Sequence, residues 1–252
     1  MKIGILGVGH LAGYLVPGLL REPAFELLLS PRNAEKARAL SERHDLPVAP
    51  DAETLVRRSE VVLLAVHPAK AADAVEGLPW RAGQTLVSLC AGVPLDSLAA
   101  AQPAALARAM PITAASIGES PTSLWPDLPA ARQVLAPLGP VIALPGEAAF
   151  ETATVAAAAY GWLQGLIGAL AEWETQAGLP PETARALIAQ TTRAAAAIVQ
   201  ARPEASVEAL TRDVCTPGGI TELGLDHLER AEAFGPWREA CDAVLARLEG
   251  GG

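Results

Sequence analysis

Lysine, cysteine, histidine, methionine and aromatic residues are all scarce in this chain of 252 residues. Only Lys2, Lys36 and Lys70 are lysine among 19 basic residues, against 28 acidic ones, giving a formal net charge of −9 with no basic run. Such a chain lacks the cationic stripe that a phosphate backbone or an anionic bilayer requires, so neither nucleic acid nor membrane is expected as a partner. Cys90, Cys215 and Cys241 stand far apart with no CxxC, and the four histidines are equally scattered. That spacing offers no disulfide framework and no metal site, and a reducing cytoplasm is the expected setting.

What is present is apolar bulk. Apolar residues make up 51% of the chain and charged residues 19%, enough to bury one large core or two ordinary ones. The first half alternates short β-rich runs (3–6, 25–29, 61–65, 85–89, 107–110 and 141–144) with Ala/Leu/Arg/Glu segments of helical period, such as 34–43 and 53–57. Runs apolar on both faces and separated by helices imply a parallel sheet covered on both sides. Pro140, Pro145 and Gly146 end that pattern, and 148–178, 181–201, 204–213 and 222–248 then read as helix, broken near Gly235-Pro236. The layout is an α/β domain over 1–146 followed by an all-α domain over 147–252.

Two segments imitate membrane signals. The apolar start resembles a signal peptide, but glycines at 4, 7, 9 and 13 and Pro17 break any single helix there. Residues 153–171 carry no charge and include Gly161-x-x-x-Gly165. They are mostly Ala, Gly, Thr and Gln, with acidic residues crowding both ends, so a buried helix at a subunit interface is expected. The chain is then at least a homodimer.

Gly7-Val8-Gly9-His10-Leu11-Ala12 is a G-x-G-x-x-A directly after a strand run and opening a helix. The first glycine permits the tight turn, the second lets backbone approach a pyrophosphate, and Ala12 lets helix and strand pack closely. Gly7, Gly9, His10 and Leu11 are therefore candidate dinucleotide contacts at a helix N-terminus. An NAD-selective site would end the second strand with Asp or Glu. This chain has Ser30-Pro31-Arg32-Asn33. A hydroxyl, a guanidinium and an amide suit a 2′-phosphate, which favours NADP while leaving NAD possible. Asn33 also suits an N-cap for the helix at 34–43.

Ala65, Val66 and His67 follow the next strand at the sheet's carboxyl edge, where His67 either touches the cofactor or merely precedes a Pro-started helix. Cys90 and Ala91 end the strand after that, near the expected nicotinamide. Cys90 has no base nearby in sequence, so it reads as a small buried residue and not a nucleophile. In the second half, Thr216-Pro217-Gly218-Gly219-Ile220-Thr221 leaves successive backbone N–H groups free to form an anion nest before a helix. It also reads as an ordinary interhelical turn, with Thr221 placed to N-cap that helix or to offer its hydroxyl to a ligand.

Taken in order and spacing, these motifs, together with Arg108-Ala109-Met110-Pro111, resemble the pyrroline-5-carboxylate reductase family over nearly the whole chain. The resemblance implies a Rossmann domain followed by a helical dimerisation domain, NAD(P)H, and reduction of a cyclic imine to proline. It implies that Gly218, Gly219, Ile220 and Thr221 grip the substrate carboxylate, with Thr221 beside the ring nitrogen as the catalytic hydroxyl. Departures stand at Ile112 (a polar amide in the family), at Ala156, Ala157, Ala158 and Ala159 (a Gly-Ser-Gly-Pro-Ala stretch), at His67 (a lysine) and at Ile220. They make the pocket more apolar, leaving a divergent imine reductase with a less polar substrate, or a nucleotide-binding regulator without turnover, as alternatives. A hydroxyacid dehydrogenase has no candidate for its usual lysine in the helical domain, since no lysine follows Lys70.

Overall fold

The computed structural model describes residues 1–250. The chain divides into two compact units, one formed by Met1–Ala157 together with the residues from Leu245 onward, the other by Ala158–Val244.

In the first unit seven strands form one sheet: β1 (Lys2–Leu6), β2 (Glu26–Leu29), β3 (Val61–Leu64), β4 (Thr85–Ser88), β5 (Ala105–Met110), β6 (Thr122–Trp125) and β7 (Val141–Ala143). Their order is β2-β1-β3-β4-β5-β6-β7. Helices α1 (Ala12–Leu19), α2 (Ala34–His44), α3 (Ala52–Arg58), α4 (Ala71–Val75) and α5 (Pro129–Leu135) connect them. Successive strand residues point to opposite faces, so the sheet separates two cores. Ile3, Ile5, Leu63 and Val87 pack with Leu15 and Leu19 of α1 on one face. Val62, Leu64 and Leu86 pack with Leu55, Val56 and Leu98 on the other. The chain leaves β1 in one direction to reach β2 and returns past it to β3. The crevice at the carboxyl ends of β1 and β3 is therefore the topological switch point, where open α/β sheets bind ligands.

The sheet is not wholly parallel: β6 runs antiparallel to β5. The sequence pattern missed β6, because Pro121 and Pro126 flank Thr122-Ser123-Leu124-Trp125 and make it read as loop. An antiparallel neighbour needs no crossover helix, so the short 3₁₀ turn Thr113–Ile117 suffices to bring the chain back.

The remainder is helical: α6 (Phe150–Gln176), α7 (Pro181–Ala201), α8 (Val207–Asp213), α9 (Ile220–Arg230) and α10 (Gly235–Glu249). The start of α6 belongs to the first unit and is clasped there. Arg108 on β5 is 2% exposed, stacks 4.0 Å over the Phe150 ring, and places Nη1 3.4 Å from Glu147 Oε1. Its Nη2 pairs with Glu151, and Glu147 also accepts the Leu95 N–H at 2.8 Å.

Beyond that clasp α6 departs from expectation. Only Phe150, Thr154 and Val155 of its 27 residues are buried, and Leu163, Leu166, Leu170 and Trp173 are exposed. Within one chain the uncharged stretch is thus not a core helix, since the chain covers it only in part, as where Trp162 meets Trp237 of α10 edge-on at 6.4 Å. By length and composition the helix over Glu147–Gln176 would also pass as a membrane span, with a mean hydropathy of 1.3.

Candidate cofactor and substrate site

A cavity of about 260 Å³ lies at the switch point, its walls including Gly7, Gly9, Arg32, Asn33, His67 and Lys70. Gly7 has φ +107°, and a Cβ there would stand 2.7 Å from the Ala65 carbonyl, so conformation and space both demand glycine. A Cβ on Gly9 would meet only the Ala65 oxygen at 3.9 Å, which leaves that face open to a ligand. Among the described residues the amides of His10 and Leu11 have no acceptor within the protein. These are the orphan donors that a helix N-terminus presents to a phosphate.

Ser30 is 1% exposed, and its Oγ accepts the Gly7 N–H at 2.9 Å, which steadies the glycine turn because the end of β2 abuts β1 directly. Arg32 and Asn33 remain on the cavity wall, while Asn33 Oδ1 also caps α2 by accepting the Lys36 N–H at 3.4 Å. A neighbouring cavity of about 320 Å³ shares Gly7 and Arg32, is lined by Ser30 as well, and is walled by Ala52, Val66 and Leu78, with Asp73 and Glu76 at its side.

His67 caps the turn that follows it, Pro68–Lys70, its Nδ1 accepting the Ala69 N–H at 3.4 Å, and it also lines the cavity. Cys90 is buried with Sγ 3.4 Å from the Val66 carbonyl, and burial pushes its thiol above the ordinary value. That side chain is packed into the sheet edge, whereas Ala91 borders a second cavity of about 360 Å³ with His67, Gly92 and Arg247. Sequence reasoning missed Lys70 and Arg247. Lys70 was legible as a basic residue three positions after His67, but nothing in the sequence brings Arg247 back to this edge.

In the helical unit Gly218 adopts φ +72°, and Gly219, not Thr221, is the N-cap of α9. The expected cap role of Thr221 is corrected accordingly. Thr221 occupies the second helical position and is exposed, with Ile220 91% exposed beside it. The nest is also less free than expected. The Gly219 N–H bonds the Thr216 carbonyl at 2.8 Å, and the Gly218 N–H is held by Glu222 Oε2 at 2.6 Å.

The family profile described as pyrroline-5-carboxylate reductase dimerisation matches residues 147–250, and one described as NADP oxidoreductase, coenzyme F420-dependent, matches residues 2–92. The chain is 28% identical to the pyrroline-5-carboxylate reductase of Synechocystis sp. over 261 residues, covering 99% of this chain and 97% of that one. It is 26% identical to pyrroline-5-carboxylate reductase 2 of Bacillus subtilis, covering 90% of this chain and 87% of that one. The structure of 1-pyrroline-5-carboxylate reductase from Streptococcus pyogenes superposes with a TM-score of 0.87 at 29% identity, covering 99% of this chain and 98% of that one. Residues 147–250 thus carry the dimerisation region of the pyrroline-5-carboxylate reductase family, and the chain is similar to members of that family along nearly its whole length.

As in that family, a Rossmann-like sheet precedes a helical dimerisation region, and the exposed length of α6 lies within the latter. The family's departure at Ile112 has a physical correlate. Ile112 is 8% exposed and helps wall an apolar cavity of about 180 Å³ with Met110, Ala156 and Ala157. Ala156 and Ala157 leave that space where larger or polar side chains would fill it.

Proposed function

We propose that this chain reduces 1-pyrroline-5-carboxylate to L-proline, with NADPH as hydride donor. The observation that carries the reading is the pairing, in one chain, of the Gly7–Gly9 cradle with the Thr216–Thr221 loop. The residues of the switch-point cavity fit a dinucleotide: open backbone at Gly9, free amides at His10 and Leu11, and no carboxylate in its lining. Arg32 and Asn33 would hold the 2′-phosphate that separates NADPH from NADH, and the adjoining apolar cavity at Ala52, Val66 and Leu78 suits the adenine. Val66, Ala65 and Ala91 would line the path of the nicotinamide half. The bound reduced nicotinamide supplies the hydride.

The imine carbon of a protonated cyclic imine is already electrophilic, so the protein's task is orientation and exclusion of water. Thr221 Oγ1 would orient the ring nitrogen. Within the 218–221 segment the amides of Ile220 and Thr221, with that of Gly218 where it is released by Glu222, would hold the carboxylate through the nest geometry that the left-handed Gly218 imposes. We assign residues 1–146 to cofactor binding and 147–252 to dimerisation and substrate binding, and we place the enzyme in the cytoplasm as a homodimer or higher homo-oligomer, its exposed α6 face covered by a second copy.

Loss of reduced-nicotinamide absorbance on mixing NADPH with 1-pyrroline-5-carboxylate, with proline as product, is the expected result. Tight NADPH binding without turnover of any cyclic imine would overturn the reading in favour of a nucleotide-binding regulator. A second reading has one observation behind it, the apolar cavity at Met110, Ile112 and Ala156. Faster turnover of bulkier apolar imines than of 1-pyrroline-5-carboxylate would favour it.

A further inference from the structure

We infer that Glu222 is a specificity-determining residue that competes with the substrate carboxylate for the Pro-Gly-Gly nest. The inference rests on the proposed role of the 218–221 loop and deepens it. Glu222 sits one turn into α9, and its Oε2 accepts the Gly218 N–H at 2.6 Å. This is the back-reaching carboxylate of a capping box, turned onto the residue before the N-cap. The occupant of the nest is therefore a carboxylate, the same chemical group that an imino-acid substrate would bring.

The surroundings sharpen the competition. Gly219 N–H is already spent on Thr216, so an incoming carboxylate has Ile220 and Thr221 to itself and must share or displace the bond at Gly218. No free cation stands by within the loop and its flanking turns among the described residues. Arg212 is paired with Glu208 at 2.7 Å, and Arg230 donates to the Asp226 carbonyl at 3.0 Å. Asp213 is likewise engaged, by Arg202 at 3.3 Å. A second negative charge arriving beside Glu222 thus meets uncompensated like-charge repulsion, and a ring of the same shape without a carboxylate meets none. Glu222 sets how strongly the enzyme discriminates between the two.

The test compares wild type with Glu222→Gln on 1-pyrroline-5-carboxylate and on 1-pyrroline, the same ring lacking the acid. Glutamine can still accept the Gly218 N–H, so the loop keeps its shape while the charge is gone. The ratio of the two KM values should fall about two- to fivefold in favour of the carboxylated ring, the scale of one partly exposed charge interaction. L-proline titrated into the NADPH-bound protein should bind tighter by the same factor, a readout independent of turnover. A second variant, Glu222→Asp, retains the charge but shortens the reach, and should leave discrimination closer to wild type than the glutamine variant does. Melting curves confirm that each variant is folded. An unchanged or rising KM ratio, or equal shifts for both rings, would reduce Glu222 to a helix cap and overturn the inference. If wild type turns over neither ring and proline does not bind, the reading of the loop itself falls, and this one with it.

Discussion

Replacing Arg108 with methionine should destabilise the first unit strongly, and the size of the effect follows from the geometry. Methionine has similar length and no charge, so packing over Phe150 is largely retained while both carboxylates lose their cation. The guanidinium is 2% exposed, while Glu147 and Glu151 are 28% and 19% exposed. Removing one partner of a buried ion pair costs about 3 to 5 kcal/mol, because the other charge is left uncompensated. Water reaches both glutamates here, which moves the expectation to about 3 kcal/mol. Loss of the cation–π contact at 4.0 Å adds about 0.5 to 1 kcal/mol. In a protein of this size that total lowers the melting temperature by about 7 to 16 °C.

The assay is urea or thermal unfolding at fixed protein concentration, since an oligomer's stability depends on it. The triple variant Arg108→Met, Glu147→Gln, Glu151→Gln removes the orphaned charges and should recover most of the loss. A loss under about 1 kcal/mol, or no recovery in the triple variant, would refute the argument that the clasp is an electrostatic unit.

Three further outcomes are expected. Arg32→Ala should raise the KM for NADPH about tenfold and leave that for NADH nearly unchanged, because a charge-assisted bond to the 2′-phosphate is lost; equal effects on both cofactors would remove Arg32 from that role. Thr221→Ala should raise the barrier for imino-acid reduction by about one to three kcal/mol without altering cofactor affinity. Since Gly219 is the N-cap of α9, the melting temperature should hardly move, and a large drop would mean that the hydroxyl serves the helix instead. At Gly165 a Cβ meets nothing within 4 Å in the single chain, so Gly165→Glu should give folded monomers in light scattering. A variant that remained dimeric would show that α6 is covered by something other than a second copy.

Much of the fold was legible because its signals are local. Short runs apolar on both faces marked six of the seven strands to within a residue or two, and Asn33 stands at the start of α2 as a short side chain that accepts the N–H three residues on. Gly7 could be assigned from sequence alone, since a tight turn straight after a buried strand has few other residues open to it. β6 escaped because a strand of only four residues between prolines carries no periodic signal.

The candidate site was legible in its residue types and less so in its contacts. Composition and motif order determined a two-part chain with a dinucleotide turn, a polar end to β2 without an acid, and a glycine loop before a late helix. Only the tertiary structure decided which of those groups are free to act. Ser30 Oγ accepts the Gly7 amide because parallel pairing sets the end of β2 beside the end of β1. Arg247 reached the cofactor edge across some of the longest separations in the chain, which no local pattern encodes. Glu222 came to occupy the nest because the left-handed turn at Gly218 points its amide back along α9. A sequence specifies which donors and charges exist, but each can meet only the groups the fold brings beside it, and only the folded chain determines which those are.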